Sequence, residues 1–83
     1  MKYKIAFKKS VSRDLKKIDR EQVEKILLKI DQELSTEAGQ FPKLKGSFSG
    51  LRKCRIGDYR IIFTIINDTV LILRIKHRKD VYK

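Results

Sequence analysis

The residues able to do chemistry gather in the last third of the chain: Lys53, Arg55, Arg60 and Arg78, with His77 and Tyr82 beside them. They do not suit a metal. One His, one Cys and no spaced carboxylate cluster leave nothing with zinc or two-metal spacing, so neither a metal nor a cofactor is expected. The stretch from Gly46 to Gly50 is too short for a phosphate-cradling loop and has no helix after it, and no nucleophile elbow is present. A cluster of cations does suit cleavage of RNA. There the substrate supplies its own attacking 2′-hydroxyl, and the protein orients it and stabilises the charge of the pentavalent phosphorane. Arg binds phosphate through its planar fork and stays charged, whereas a Lys crowded by other cations can have its pKa lowered enough to move a proton. By type, then, Lys53 is the base candidate, and Tyr82 can stack on a base or join in proton transfer. Lys43, Lys45, Arg74, Lys76 and His77 are the candidate substrate-binding positions around them.

The same residues also admit a plainer account. Lys53, Arg55 and Arg74 suit the solvated face of an antiparallel sheet, Arg60 could pair with Asp58, and a lone surface His is more often inert than catalytic. Tyr82 stands one residue from the end, where chains fray, and Cys54 is simplest as core filling.

To act together these side chains need a scaffold, and the run from Gly50 to Tyr82 supplies one: three short strands joined by two tight turns. Gly57 at the first centre of Ile56-Gly57-Asp58-Tyr59 suits a type II′ turn, and Asn67-Asp68 tolerates the positive φ of the second. Alternation places Cys54 and Ile56 on one face of the sheet and Lys53 and Arg55 on the other; it sets Leu71, Leu73 and Ile75 against Arg74 and Lys76. The cations are therefore expected to share a face. Ile62 and Ile66 fall on that open face with Arg60, enough apolar surface to expect a partner chain over part of it.

The first half reads as support. Tyr3, Ile5 and Phe7 alternate with lysines, as in a lysine-protected edge strand. Ser10 or Ser12 can cap a helix whose Val11, Leu15 and Ile18 line one side. Asp19 with Gln22 resembles a capping box opening a second helix with Val23, Ile26, Leu27, Ile30 and Leu34 in a stripe. From Ser35 to Gly50 periodicity fails and a loop is expected, with Phe41, Leu44 and Phe48 tucked under the helices and Lys43 and Lys45 within reach of a phosphate. The expected fold is a single α+β domain over residues 1–83, in the order β-α-α-β-β-β. A two-helix hairpin packs on one face of a small, mainly antiparallel four-stranded sheet.

Charge points to a polyanion partner. The chain carries 21 Lys and Arg against 10 Asp and Glu, a net +11, and the surplus is uneven. Residues 1–34 hold 10 basic and 6 acidic residues, net +4; residues 35–83 hold 11 and 4, net +7, so the strand half carries most of it. No apolar run approaches the roughly 20 residues that cross a bilayer, and a single Cys excludes an internal disulfide. The expectation is a soluble protein of the reducing cytoplasm.

At LRKCRIGDYRIIFTI and LRIKHRKDVY the chain resembles the RelE/ParE superfamily of toxins, and YKIAFKKSVSRDLKKI is similar to that family's first strand and helix. The resemblance implies a toxin paired with a cognate antitoxin, monomeric when free and oligomeric with its partner. On the RelE branch it implies metal-independent cleavage of messenger RNA in the ribosomal A site. It carries catalytic roles onto Lys53, Arg55, Arg60, Arg78 and Tyr82, with Arg55 standing where some relatives have Lys. The ParE branch shares the fold but poisons DNA gyrase; a plain nucleic-acid-binding module is the third possibility, weakened by the lack of grouped aromatics for base stacking.

Overall fold

The structure, a computed structural model, describes residues 2–43 and 50–81, the last two by backbone alone. Strand β1 (Lys4–Phe7) leads into helix α1 (Lys9–Lys16) and helix α2 (Arg20–Lys29), and strands β2 (Arg52–Ile56), β3 (Tyr59–Ile66) and β4 (Thr69–His77) follow, with a closing helical turn at Arg78–Val81. The sheet order is β1-β4-β3-β2, parallel between β1 and β4 and antiparallel elsewhere. The expected β-α-α-β-β-β architecture is thus observed, with β1 as an edge strand.

Both hairpins turn at positive φ. Gly57 sits at +58° and Asn67 at +57°, and the two residue types that bear this conformation at least cost are the ones present. The core lies between the helices and one sheet face. Val11 of α1 and Ile26 of α2 meet Ile61 and Phe63 of β3 and Val70, Ile72 and Ile75 of β4, all almost fully buried. Phe41 closes one side with its ring edge-on to Phe63, centroids 6.1 Å apart.

Three local expectations need correction. The helix does not end at Ser35. It passes from α2 through a π-helical stretch at Ile30–Leu34 and on to Gln40, because burying Leu34 and Ala38 outweighs the weak helix propensity of Ser35, Thr36 and Gly39. Neither expected cap forms: the residue before α1 is Lys8, Ser10 and Ser12 bond elsewhere, and Asp19 starts α2 without a side-chain hydrogen bond. Finally, the face assignment in β4 is reversed at its start. Ile62 pairs with Arg74 but Phe63 with Ile72, so Leu73 is an extra residue in a β-bulge. Val70, Ile72 and Ile75 face the core, while Leu71 falls on the open face opposite Thr64. Leu44 and Phe48 lie outside the described residues.

Candidate nucleic-acid interface

Register assembles the open face strand by strand. Directly paired residues point the same way, so Arg55 opposite Arg60, Arg60 opposite Lys76, and Lys53 opposite Ile62 opposite Arg74 form one surface. Its core-side neighbours, Cys54 and Ile56, are buried, which fixes Lys53 and Arg55 outward. Lys53, Arg55 and Arg60 line a groove of about 270 Å³ together with Phe41, Pro42 and Cys54, and none of those six is acidic. The groove keeps its shape because the Lys53 N–H donates to the Pro42 carbonyl at 3.1 Å, and the Arg52 guanidinium donates to the carbonyls of Phe41 (2.7 Å) and Gly39 (3.2 Å). Lys43 bridges to Arg52 and so lies along the same edge. Arg78 is exposed, and its N–H donates to the Asp58 carbonyl at 2.7 Å, which ties it to the β2–β3 turn at the end of the sheet where Arg55 and Arg60 stand.

Cys54 borders the groove from the buried side of β2. Burial, joined by the charge of Glu33 and opposed by Lys29, pushes its thiol up to about 11, although Lys53 and Arg55 are its immediate neighbours in sequence.

Two of the expected binding residues stand apart. Arg74 donates from Nε and one terminal nitrogen to the two carboxylate oxygens of Asp14, at 2.9 and 3.0 Å, and Asp14 also accepts the Ile75 N–H at 3.0 Å. Its fork is committed to the fold. His77 pairs with Tyr59 on the helix side of the sheet, ring centroids 5.2 Å apart at 89°, and its Nδ1 accepts the Lys79 N–H. It is not on the face of Lys53. Lys45 and Tyr82 fall outside the described residues, and Lys76 lies on the open face next to Arg60.

The sequence reasoning overlooked Asp14, the one buried charged residue among the described residues. Where β1 ends at Phe7, β4 runs on unpaired, and α1 covers the exposed edge: Ser10 Oγ donates to the Leu73 carbonyl at 2.9 Å and Asp14 takes the Ile75 N–H. Burial works against the Asp14 charge. The Arg74 and Ile75 hydrogen bonds and the charges of Arg74 and Lys76 outweigh it, holding the carboxyl below the usual range. A signal was available, for Asp14 lies three residues after Val11 and four before Ile18, on the apolar stripe of its own helix.

Among the described residues no three His, Cys, Asp or Glu side chains converge as metal ligands, and no helix is long and apolar enough to cross a membrane. Comparison with known proteins agrees with the architecture. Residues 5–82 match the family described as the ParE toxin of type II toxin-antitoxin systems, parDE. The toxin RelG of Mycobacterium tuberculosis is 31% identical over 86 residues, spanning all of this chain and 99% of RelG. The toxin-antitoxin complex RelBE2 of the same organism superposes with a TM-score of 0.88 at 28% identity, over 94% of this chain and 93% of that one. The RelB-RelE antitoxin-toxin complex of Methanococcus jannaschii gives 0.74 at 26% identity, over 94% and 95%. With a match across nearly the whole sequence and the fold in agreement, the chain belongs to the RelE/ParE superfamily of type II toxin-antitoxin toxins.

Proposed function

We propose that this toxin is a metal-independent endoribonuclease that cleaves messenger RNA in the ribosomal A site and arrests translation. The observation that carries the proposal is the groove in which Lys53, Arg55 and Arg60 of neighbouring strands meet beside Phe41 and Pro42. The 2′-hydroxyl oxygen attacks the adjacent phosphorus, the bond to the 5′-oxygen breaks, and the proton lost by the first oxygen must be matched by one gained at the second. Arg55, Arg60 and Arg78 hold the phosphorane's charge, and Lys53 and Tyr82 carry the protons. The RNA provides the nucleophile, so the protein supplies orientation, charge and proton transfer. A cognate antitoxin would silence the toxin by laying an acidic or amphipathic segment over the basic face or the helices, a role supported by the antitoxin-bound state of the relatives.

The ParE description of the matching family favours a second reading, a gyrase poison with no chemistry of its own. Inducing the protein alone separates the two. Primer extension on a translated message should show breaks inside codons, lost in Arg60→Ala and Arg78→Ala proteins that remain folded. Intact message with relaxed plasmid would select the gyrase reading, and arrest unaltered by both substitutions would end the catalytic assignment.

A further inference from the structure

Past the end of β1, a recess of about 530 Å³ opens between the C-terminal end of α1 and the last residues of β4, roughly twice the volume of the 270 Å³ groove at the β2 edge. Lys17 and Ile18 border it on the helix side, and Tyr59, Ile75, Lys76 and His77 on the sheet side. Its chemistry selects an occupant. The carboxylate at its wall, Asp14, is already closed by Arg74 and the Ile75 N–H, so it presents no free acid. Two ammonium groups remain, and they ask for an anion. The Tyr59 and His77 rings meet at a right angle, a corner where a planar heterocycle can lie on one ring and meet the other with its edge, and Ile18 and Ile75 supply apolar contact beside it. An anion joined to a flat heterocycle is a nucleotide.

Position supports the same choice. Lys76, which borders the recess, pairs with Arg60, which borders the groove, so the two sites adjoin at one end of the sheet, with the Tyr59–His77 corner on its helix side. A strand whose phosphate sits in the groove can place an adjoining residue in the recess. We propose that the recess is a nucleotide subsite for the same RNA, the base in the Tyr59–His77 corner and a phosphate between Lys17 and Lys76. The proposal rests on the nuclease reading and extends its substrate contacts across the sheet.

The test uses the full chain, isotopically labelled, titrated with a short single-stranded oligoribonucleotide and followed residue by residue by NMR, with affinity from fluorescence anisotropy. The amides of Ile18, Ile75 and His77 should shift along with those of Lys53 to Arg60. Lys17→Ala, an exposed position, should weaken binding about fivefold and His77→Ala about as much, while Lys17→Arg stays within twofold of the parent. Shifts confined to the groove, or unaltered affinity in both alanine variants, would overturn the subsite and leave the nuclease reading intact. Failure of the nuclease reading appears elsewhere, as uncleaved message in cells, whatever the recess binds.

Discussion

At the β4 edge, Arg74 is clamped by a carboxylate that is only 8% exposed, whereas towards the β2 edge Lys53, Arg55 and Arg60 line a groove with Phe41, Pro42 and Cys54. All four cations stand on the same sheet face by register, and all four would be counted alike by charge. The difference is the neighbouring element. Helix α1 brings Asp14 to the β4 edge, which lost its partner strand at Phe7, while the β2 edge meets the backbone carbonyls of Phe41 and Pro42 instead. Basic residues on one sheet face therefore differ in what lies beside them, a helix carboxylate at Arg74 and a loop backbone at Lys53.

Breaking the clamp should have the largest effect on stability. Asp14→Ala strands the Ile75 N–H and leaves Arg74 without its acceptor; because Arg74 is partly solvated, the loss should be about 2 kcal/mol, less than for a fully buried pair. In urea the midpoint should fall by roughly 1–2 M. A change under about 0.3 kcal/mol would mean that α1 does not hold the edge.

The same clamp predicts a pH dependence of known sign. The folded state holds Asp14 below its ordinary value, so its stabilisation is present above the unfolded pKa of about 4 and is lost as pH falls through the lower folded value. Between pH 5 and 3 the wild type should therefore lose more stability than Asp14→Asn, measured by urea melts at each pH. Parallel losses would show that the carboxylate's charge contributes nothing. The smallest effect belongs to an exposed pair, Lys29 and Glu33 at 3.8 Å: Glu33→Gln should cost no more than about 0.3 kcal/mol, in contrast with Asp14.

Much of this division can be traced to residue pattern, and the exceptions have physical causes. In β2, Cys54 and Ile56 alternate with Lys53 and Arg55, so polarity reports the face directly, and Gly57 and Asn67 mark turns that demand positive φ. In β4 the run Val70-Leu71-Ile72-Leu73 is apolar throughout, so alternation is silent where the bulge at Leu73 resets it. His77, two residues after the core-facing Ile75, belongs with Tyr59 by the alternation that resumes beyond the bulge. The role of Arg74 depended on Asp14, sixty residues away in sequence, a contact no local pattern contains. The helical extension to Gln40 was likewise set by burial of Leu34 and Ala38, against local propensity.

The most direct test compares Arg55→Ala with Arg74→Ala for message cleavage, each normalised to folded protein by its urea midpoint. Arg55→Ala should keep the parent's midpoint and lose about 10²-fold in cleavage, while Arg74→Ala should lower the midpoint and keep cleavage within a few fold. Equal losses of cleavage in the two proteins, or full cleavage by Arg55→Ala, would contradict the division of the sheet into a clamped edge and a working one.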